Sequence, residues 1–225
     1  MKKGLTEIVF ILDRSGSMAG LEEDTIGGYN SMLERQKKEE GKAVISTVLF
    51  DDRCEVLHDR LDLEEVEPVT EKEYYVRGCT ALLDAVGGAV KHIATVHKYA
   101  REEDRPEKTL FIITTDGMEN SSRQYDFEKV RQMVEEKKEK WGWEFLFLGA
   151  NMDAIQVAGR FGIREENAVN FECDSQGTRL NYAVVSRAVS SARANACMEQ
   201  AVPAGWKAEI EKDYRKRHRR KTAAE

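Results

Sequence analysis

The stretch "IVFILDRSGSM", residues 8–18, carries five continuous apolar residues straight into an aspartate, an arginine and two serines around a glycine. Its β-branched and aromatic residues show no polar alternation, so "EIVFIL" (7–12) reads as a strand buried on both faces. Asp, Ser and Gly are ordinary turn formers, and the turn has a sufficient reason in its backbone alone. Asp13, Ser15 and Ser17 nevertheless bring three oxygen-bearing side chains to the end of a buried strand. The rest of the sequence has to decide between a plain turn and a site.

Outward from that strand, short apolar runs alternate with longer segments of helical period. Residues 21–40 read as a helix with Ile26, Tyr29, Met32 and Leu33 on one face and Gly41 closing it. "KAVISTVLF" (42–50) is a second strand, and "CEVLHDRL" (54–61) follows after only "DDR". No helix fits in that gap, so the pair is expected to be antiparallel, with 54–61 at an edge. Residues 62–80 read as loop with one short helical turn. Residues 81–100 form a helix whose Gly87–Gly88 pair is expected to let it pack closely on the sheet, at a cost of about 1 kcal/mol per glycine. Strands at 108–116, 143–150 and 167–171 then alternate with helices at 126–140, 153–162 and 176–198. The alternation predicts one α/β domain, mostly parallel, with helices on both faces, over residues 1–200. Residues 201–225 are expected to be a C-terminal extension.

Composition narrows the function. Charged residues make up 34% of the 225, and the net charge of −6 argues against nucleic-acid binding by the body of the protein. The charge is uneven. Residues 212–221, "KDYRKRHRRK", hold seven Lys/Arg against one Asp, a local +6 that leaves −12 on the remainder. Such a run is expected to be a solvated tail, or an arm for nucleic acid or an acidic partner. The apolar run at 8–12 is shorter than the roughly 7–15 residues of a signal peptide core, and no run reaches the roughly 20 of a membrane span. Cys54, Cys79, Cys173 and Cys197 are scattered without a C-x-x-C, which suggests neither zinc nor disulfides. The expected location is a reducing cytoplasm.

Two more segments put oxygens at strand or helix ends. "TTDG" supplies Asp116 after the fourth strand, and "RGCTALLD" places Thr80 just before a helix, where its hydroxyl either caps that helix or turns outward. In an open doubly wound sheet, ligands bind beyond the carboxyl ends of the strands. Asp13, Ser15, Ser17, Thr80 and Asp116 form a hard, all-oxygen set. It suits Mg²⁺ or Mn²⁺, with Ca²⁺ as a third candidate, better than zinc. Neutral hydroxyls leave a bound cation electron-poor, so it attracts a carboxylate from another molecule.

With these residues in view, the chain resembles the von Willebrand factor A domain, the Rossmann-like fold shared with integrin I domains. The metal-ion-dependent adhesion site of that family is D-x-S-x-S, then a distant Thr, then a distant Asp. The matching positions are Asp13, Ser15 and Ser17 in "DRSGSM", Thr80 in "GCTAL" and Asp116 in "TTDG", and the likeness covers about residues 5–198. It implies a six-stranded sheet of order 3-2-1-4-5-6 with strand three antiparallel, which agrees with the short "DDR" hairpin. It implies serines and threonine touching the ion, and aspartates that act through water. "GYNSML", "FDD", "GCTALLDAVG" and "FLGANMDA" further resemble compact intracellular A domains of bacteria and phages, some in tellurite-resistance-like operons.

The expected function is a non-enzymatic module that recruits an acidic side chain of a partner protein through the cation. A metal-dependent phosphoryl hydrolase is the enzymatic alternative. It would want D-x-D after the first strand, where this chain has Ser15 in place of the second Asp. A nucleic-acid adaptor working through 212–221 is the third class. Glu119, Asn120 and Ser121 are expected to border the metal face, Asp51 and Asp52 to shape the hairpin, and Arg14 to be solvated. His58, His92, His97 and His218 show no ligand spacing.

Overall fold

The longest strand, β1 (Lys2–Asp13), lies at the middle of the molecule, and its residues are buried on both sides. Ile8, Phe10 and Leu12 point into one apolar cluster, while Val9 and Ile11 point into another. That alternation is the pleat of a strand covered on both faces. In this computed structural model the described residues are 1–195 and 201–222.

Around β1 the sheet adds β2 (Lys42–Phe50), β3 (Cys54–Asp62), β4 (Pro106–Thr115), β5 (Glu144–Gly149) and β6 (Ala168–Asn170), in the order β3-β2-β1-β4-β5-β6. Every neighbouring pair is parallel except β2 and β3, which are antiparallel. This is the expected sheet. Helices α1 (Glu22–Lys37) and α5 (Ser175–Ala194) cover the face of Ile8 and Phe10. Helices α2 (Leu82–Tyr99), α3 (Phe127–Trp141) and α4 (Ala154–Arg160) cover the other. Each apolar side chain fully buried there contributes roughly 1.5–3 kcal/mol.

Four local expectations need correction or limits. Helix α1 stops at Lys37, and residues 38–41 turn into β2, so Gly41 is a turn residue and not the helix cap. Gly87 does not serve contact with the sheet. A Cβ there would lie 2.5 Å from the ring of Tyr125, so the missing side chain makes room for the loop after β4. Helix α5 ends at Ala194 with Asn195 as its cap, and the last three residues expected in it, 196–198, Cys197 among them, lie outside the described set. Residues 208–222 are not a frayed tail. They form α6 (Ala208–Thr222), anchored by Val202 and Ile210 in the core on the α1–α5 face.

The strand order reverses between β2 and β4, on either side of β1. The carboxyl ends of β1 and β4 therefore face a shared crevice, the position at which doubly wound sheets bind ligands.

Candidate metal centre

At the end of β1 the chain turns sharply, because the Ser15 N–H donates to Asp13 Oδ1 at 2.7 Å. The other oxygen of Asp13 accepts from the Thr115 hydroxyl at 2.5 Å, which ties the ends of β1 and β4 together. The turn is also fixed from outside. Tyr74 donates its hydroxyl to the Asp13 carbonyl, Gly16 N–H to the Gly78 carbonyl, and Arg77 N–H to the Arg14 carbonyl. Residues 74–78 thereby clamp the turn against the loop that leads to Thr80. Burial pushes the Asp13 carboxyl above its usual range, and the bonds from Ser15 and Thr115 oppose the shift.

Neither Ser15 nor Thr80 spends its hydroxyl on a helix cap. Ser15 begins a short 3₁₀ turn (Gly16–Met18) without using its side chain as a cap. Thr80 precedes α2 without capping it. The orphan N–H groups of α2 find acceptors elsewhere. Leu83 N–H donates to Glu119 Oε2 at 2.9 Å and Asp84 N–H to Ser122 Oγ at 3.0 Å. A reciprocal pair holds Thr80 itself: its N–H donates to Asn120 Oδ1 at 2.9 Å, and Asn120 N–H donates to its carbonyl at 3.0 Å.

These restraints aim three hydroxyls at one point. A Cβ added to Gly117 would stand 2.7 Å from Thr80 Oγ1, 3.1 Å from Ser17 Oγ and 3.6 Å from Ser15 Oγ. The space opposite Gly117 is therefore a cradle lined by hydroxyl oxygen. Ser15 Oγ and Ser17 Oγ are 3.0 Å apart, and Ser17 Oγ donates to Asp116 Oδ1 at 2.5 Å. All five residues singled out in the sequence lie around this spot. Ser17 is exposed, and the other four are buried.

Two residues depart from expectation. Arg14 is not solvated but fully buried. Its Nε lies 2.9 Å from Asp51 Oδ2 and its Nη2 2.7 Å from Glu55 Oε2. Asp51 does shape the hairpin, accepting from Arg53 N–H at 2.9 Å, but it is also the buried partner of both Arg14 and Arg77. Cys173 escaped the sequence reading. Its thiol donates to Asp116 Oδ2 at 3.2 Å, and burial next to that carboxylate pushes the thiol up to about 12. Only the alternating pattern offered a signal for Cys173, because it places the residue just past the last strand.

Glu119, Asn120 and Ser121 prove to be the scaffold of the loop after β4. The Glu119 carboxylate accepts from the N–H groups of Leu83, Ser121 and Ser122 and from the Ser122 hydroxyl. Asp84 answers from α2 by accepting from the N–H groups of Arg123, Gln124 and Tyr125. Glu119→Ala is expected to destabilise the fold by about 1–2 kcal/mol, as for a lost helix cap with several donors stranded. Urea unfolding of the variant checks the value, and an unchanged midpoint would mean the loop is held some other way.

Among the described residues no group of three His, Cys, Asp or Glu side chains gathers at a point, as a nitrogen- and sulfur-rich metal site requires. Two carboxylates and three hydroxyls instead make an oxygen set fit for a hard divalent cation.

No protein-family model matches the sequence, and no curated protein matches it. Solved structures do match. The proximal thread matrix protein 1 of the mussel byssus, with a zinc-occupied MIDAS motif, superposes with a TM-score of 0.57 at 17% identity, over 82% of this chain and 46% of that one. The von Willebrand factor type A protein of Catenulispora acidiphila gives 0.56 at 13% identity, over 83% of this chain and 42% of that one. The manganese-loaded TRAP protein of Plasmodium vivax gives 0.56 at 17% identity, over 80% and 72%. The chain spans a little under half the length of the mussel protein. Identities this low speak for the fold alone, and the fold is the six-stranded, Rossmann-like sheet of the von Willebrand factor A domain.

Proposed function

We propose that the chain is a non-enzymatic interaction module that holds a divalent cation with Asp13, Ser15, Ser17, Thr80 and Asp116 and offers it to a carboxylate of a partner protein. The observation that carries this reading is the convergence of three uncapped hydroxyls on the space opposite Gly117. Ser15, Ser17 and Thr80 would hold the ion directly. Asp13 has both oxygens engaged by Ser15 N–H and Thr115, so it acts by fixing the turn and adding negative charge behind it. Asp116 orients Ser17. When bound, the cation supplies an electron-poor position that takes an outside carboxylate.

Mg²⁺ is the favoured ion on donor hardness, with Mn²⁺ and Ca²⁺ next. The scattered cysteines support a cytoplasmic setting, and the strand–helix alternation supports a domain over residues 1–200, against whose core the extension packs Val202 and Ile210. No helix among the described residues is long and apolar enough to cross a membrane.

Mn²⁺ gives the direct test, because water bound to it shortens proton relaxation. The Mn²⁺-loaded protein should enhance water relaxation, and a short glutamate-rich peptide should lower that enhancement by displacing a bound water. Thr80→Ala should show neither effect. An enhancement that no carboxylate disturbs would mean a metal site without a partner role. Phosphate released from a generic ester in Mg²⁺, and abolished by Asp13→Asn, would revive the hydrolase.

A further inference from the structure

Of the five residues around the cradle, Ser17 is the exposed one, so its hydroxyl has the most freedom to turn away from an ion. Asp116 restrains it, because Asp116 Oδ1 accepts from Ser17 Oγ at 2.5 Å. The carboxylate needs a restraint of its own, since rotation about its last bond would exchange the two oxygens. That restraint is Cys173, whose Sγ donates to Asp116 Oδ2 at 3.2 Å. Among the described residues no group other than Ser17 and Cys173 donates to this carboxylate.

The thiol is mounted on a rigid link between β6 and α5. On one side Phe171 is buried in the core, and its N–H donates to the Gly149 carbonyl at 3.1 Å. On the other side Asp174 caps α5 by accepting from Gly177 N–H at 2.8 Å, while its own N–H donates to the Glu172 carbonyl at 3.0 Å. A Cβ at Gly177 would collide with that same carbonyl, so α5 packs directly on the link. The side chain of Asn151 also hydrogen-bonds the thiol. Asn151 stands at φ 54, a left-handed conformation that Asn tolerates better than most other residues. Beside it, Ala150 N–H donates to the Thr115 carbonyl at 3.0 Å. The ends of β4 and β5 and the link after β6 are thereby tied together next to Asp116.

We propose that Cys173 is a positioning residue of the metal centre: its thiol fixes the Asp116 carboxylate, which in turn holds the Ser17 oxygen toward the cation. The proposal deepens the reading above and rests on it. A thiol suits the task. It is a weak donor, so it orients the carboxylate while withdrawing little of the negative charge that attracts the ion. Sulfur is also a soft ligand, and it leaves a hard cation to the oxygens. Without the donor the carboxylate turns freely, and Ser17 loses the fixed acceptor that aims it.

The test titrates the full, metal-stripped chain with Mg²⁺ by calorimetry and compares three substitutions of Cys173. Cys173→Val keeps much of the side-chain volume and removes the donor. It should bind Mg²⁺ about fivefold more weakly, the order expected of one weak hydrogen bond to a charged acceptor. Cys173→Ala should fall by a similar factor, and having two donor-free variants leaves one to decide if the other folds poorly. Cys173→Ser restores a donor and should bind within about twofold of the wild type. Urea midpoints show which of the proteins are folded. Wild-type affinity in the Val and Ala variants overturns the proposal. So does a Ser variant as weak as those two, because the sulfur would then matter only for its packing. A wild type that gives no heat with Mg²⁺ brings down the metal reading itself, a result distinct from the others.

Discussion

Arg14→Ala should lower the unfolding free energy by about 3–5 kcal/mol, the range seen when one partner of a buried ion pair is removed. Arg14 and Asp51 both have fully buried side chains. Without the guanidinium, the one charged partner left to Asp51 among the described residues is Arg77, whose side chain is 40% exposed. Arg14 also reaches the Glu73 carbonyl and lies 5.3 Å from the Tyr75 ring, so its loss opens the packing between the metal loop and residues 73–77. Arg14→Lys should recover little, because a point charge cannot serve Asp51 and Glu55 together as the planar fork does.

The same variant has a pH signature. Burial pushes the Asp51 carboxyl up, but hydrogen bonds from Arg77, Asp52, the Arg53 backbone and Arg14 outweigh it and hold the group below its usual value. A carboxyl held down contributes stability that is present above its unfolded value, about 4, and is lost as pH falls through the folded one. Arg14→Ala lets the carboxyl rise, so acid unfolding should begin at a higher pH than in the wild type. Urea midpoints measured from neutral pH downward check both effects. A loss under about 1 kcal/mol, typical of exposed pairs, would show that Arg14 is solvated after all.

Why the sequence misplaces Arg14 while it places its neighbours is a matter of range. Asp13, Ser15 and Ser17 sit in one turn at a strand end, and period and turn chemistry are local signals. Arg14 is decided by Asp51 and Glu55, which are 37 and 41 positions away and arrive only when the β2–β3 hairpin closes over the turn. Thr80 shows the same divide. Its place before a helix was legible, but its hydroxyl turns to the site because Glu119 and Ser122 supply the acceptors that α2 needs. The sheet was legible in full from alternation, from the short "DDR" gap and from the family resemblance. Helix α6 was not, because its abundant charge masks the few apolar anchors, Val202 and Ile210, that seat the chain.

Gly117→Ala is the second large effect, and it separates site from fold. The new methyl group would enter the cradle 2.7 Å from Thr80 Oγ1, closer than a real Cβ contact allows. The backbone or the hydroxyls must then shift, and a cation loses the space between Thr80, Ser17 and Ser15. The atoms it meets are hydroxyl oxygens at the crevice, not core carbons, so the expected cost in stability is on the order of 1 kcal/mol. Metal binding should be lost altogether.

The most direct measurement is a calorimetric titration of the metal-stripped protein with Mg²⁺ and Mn²⁺, run on the wild type, Thr80→Ala and Gly117→Ala. Binding heat in the wild type alone, with all three proteins folded, is the predicted result. Heats that are the same in all three would contradict it, and the turn at residues 13–17 would be only a turn.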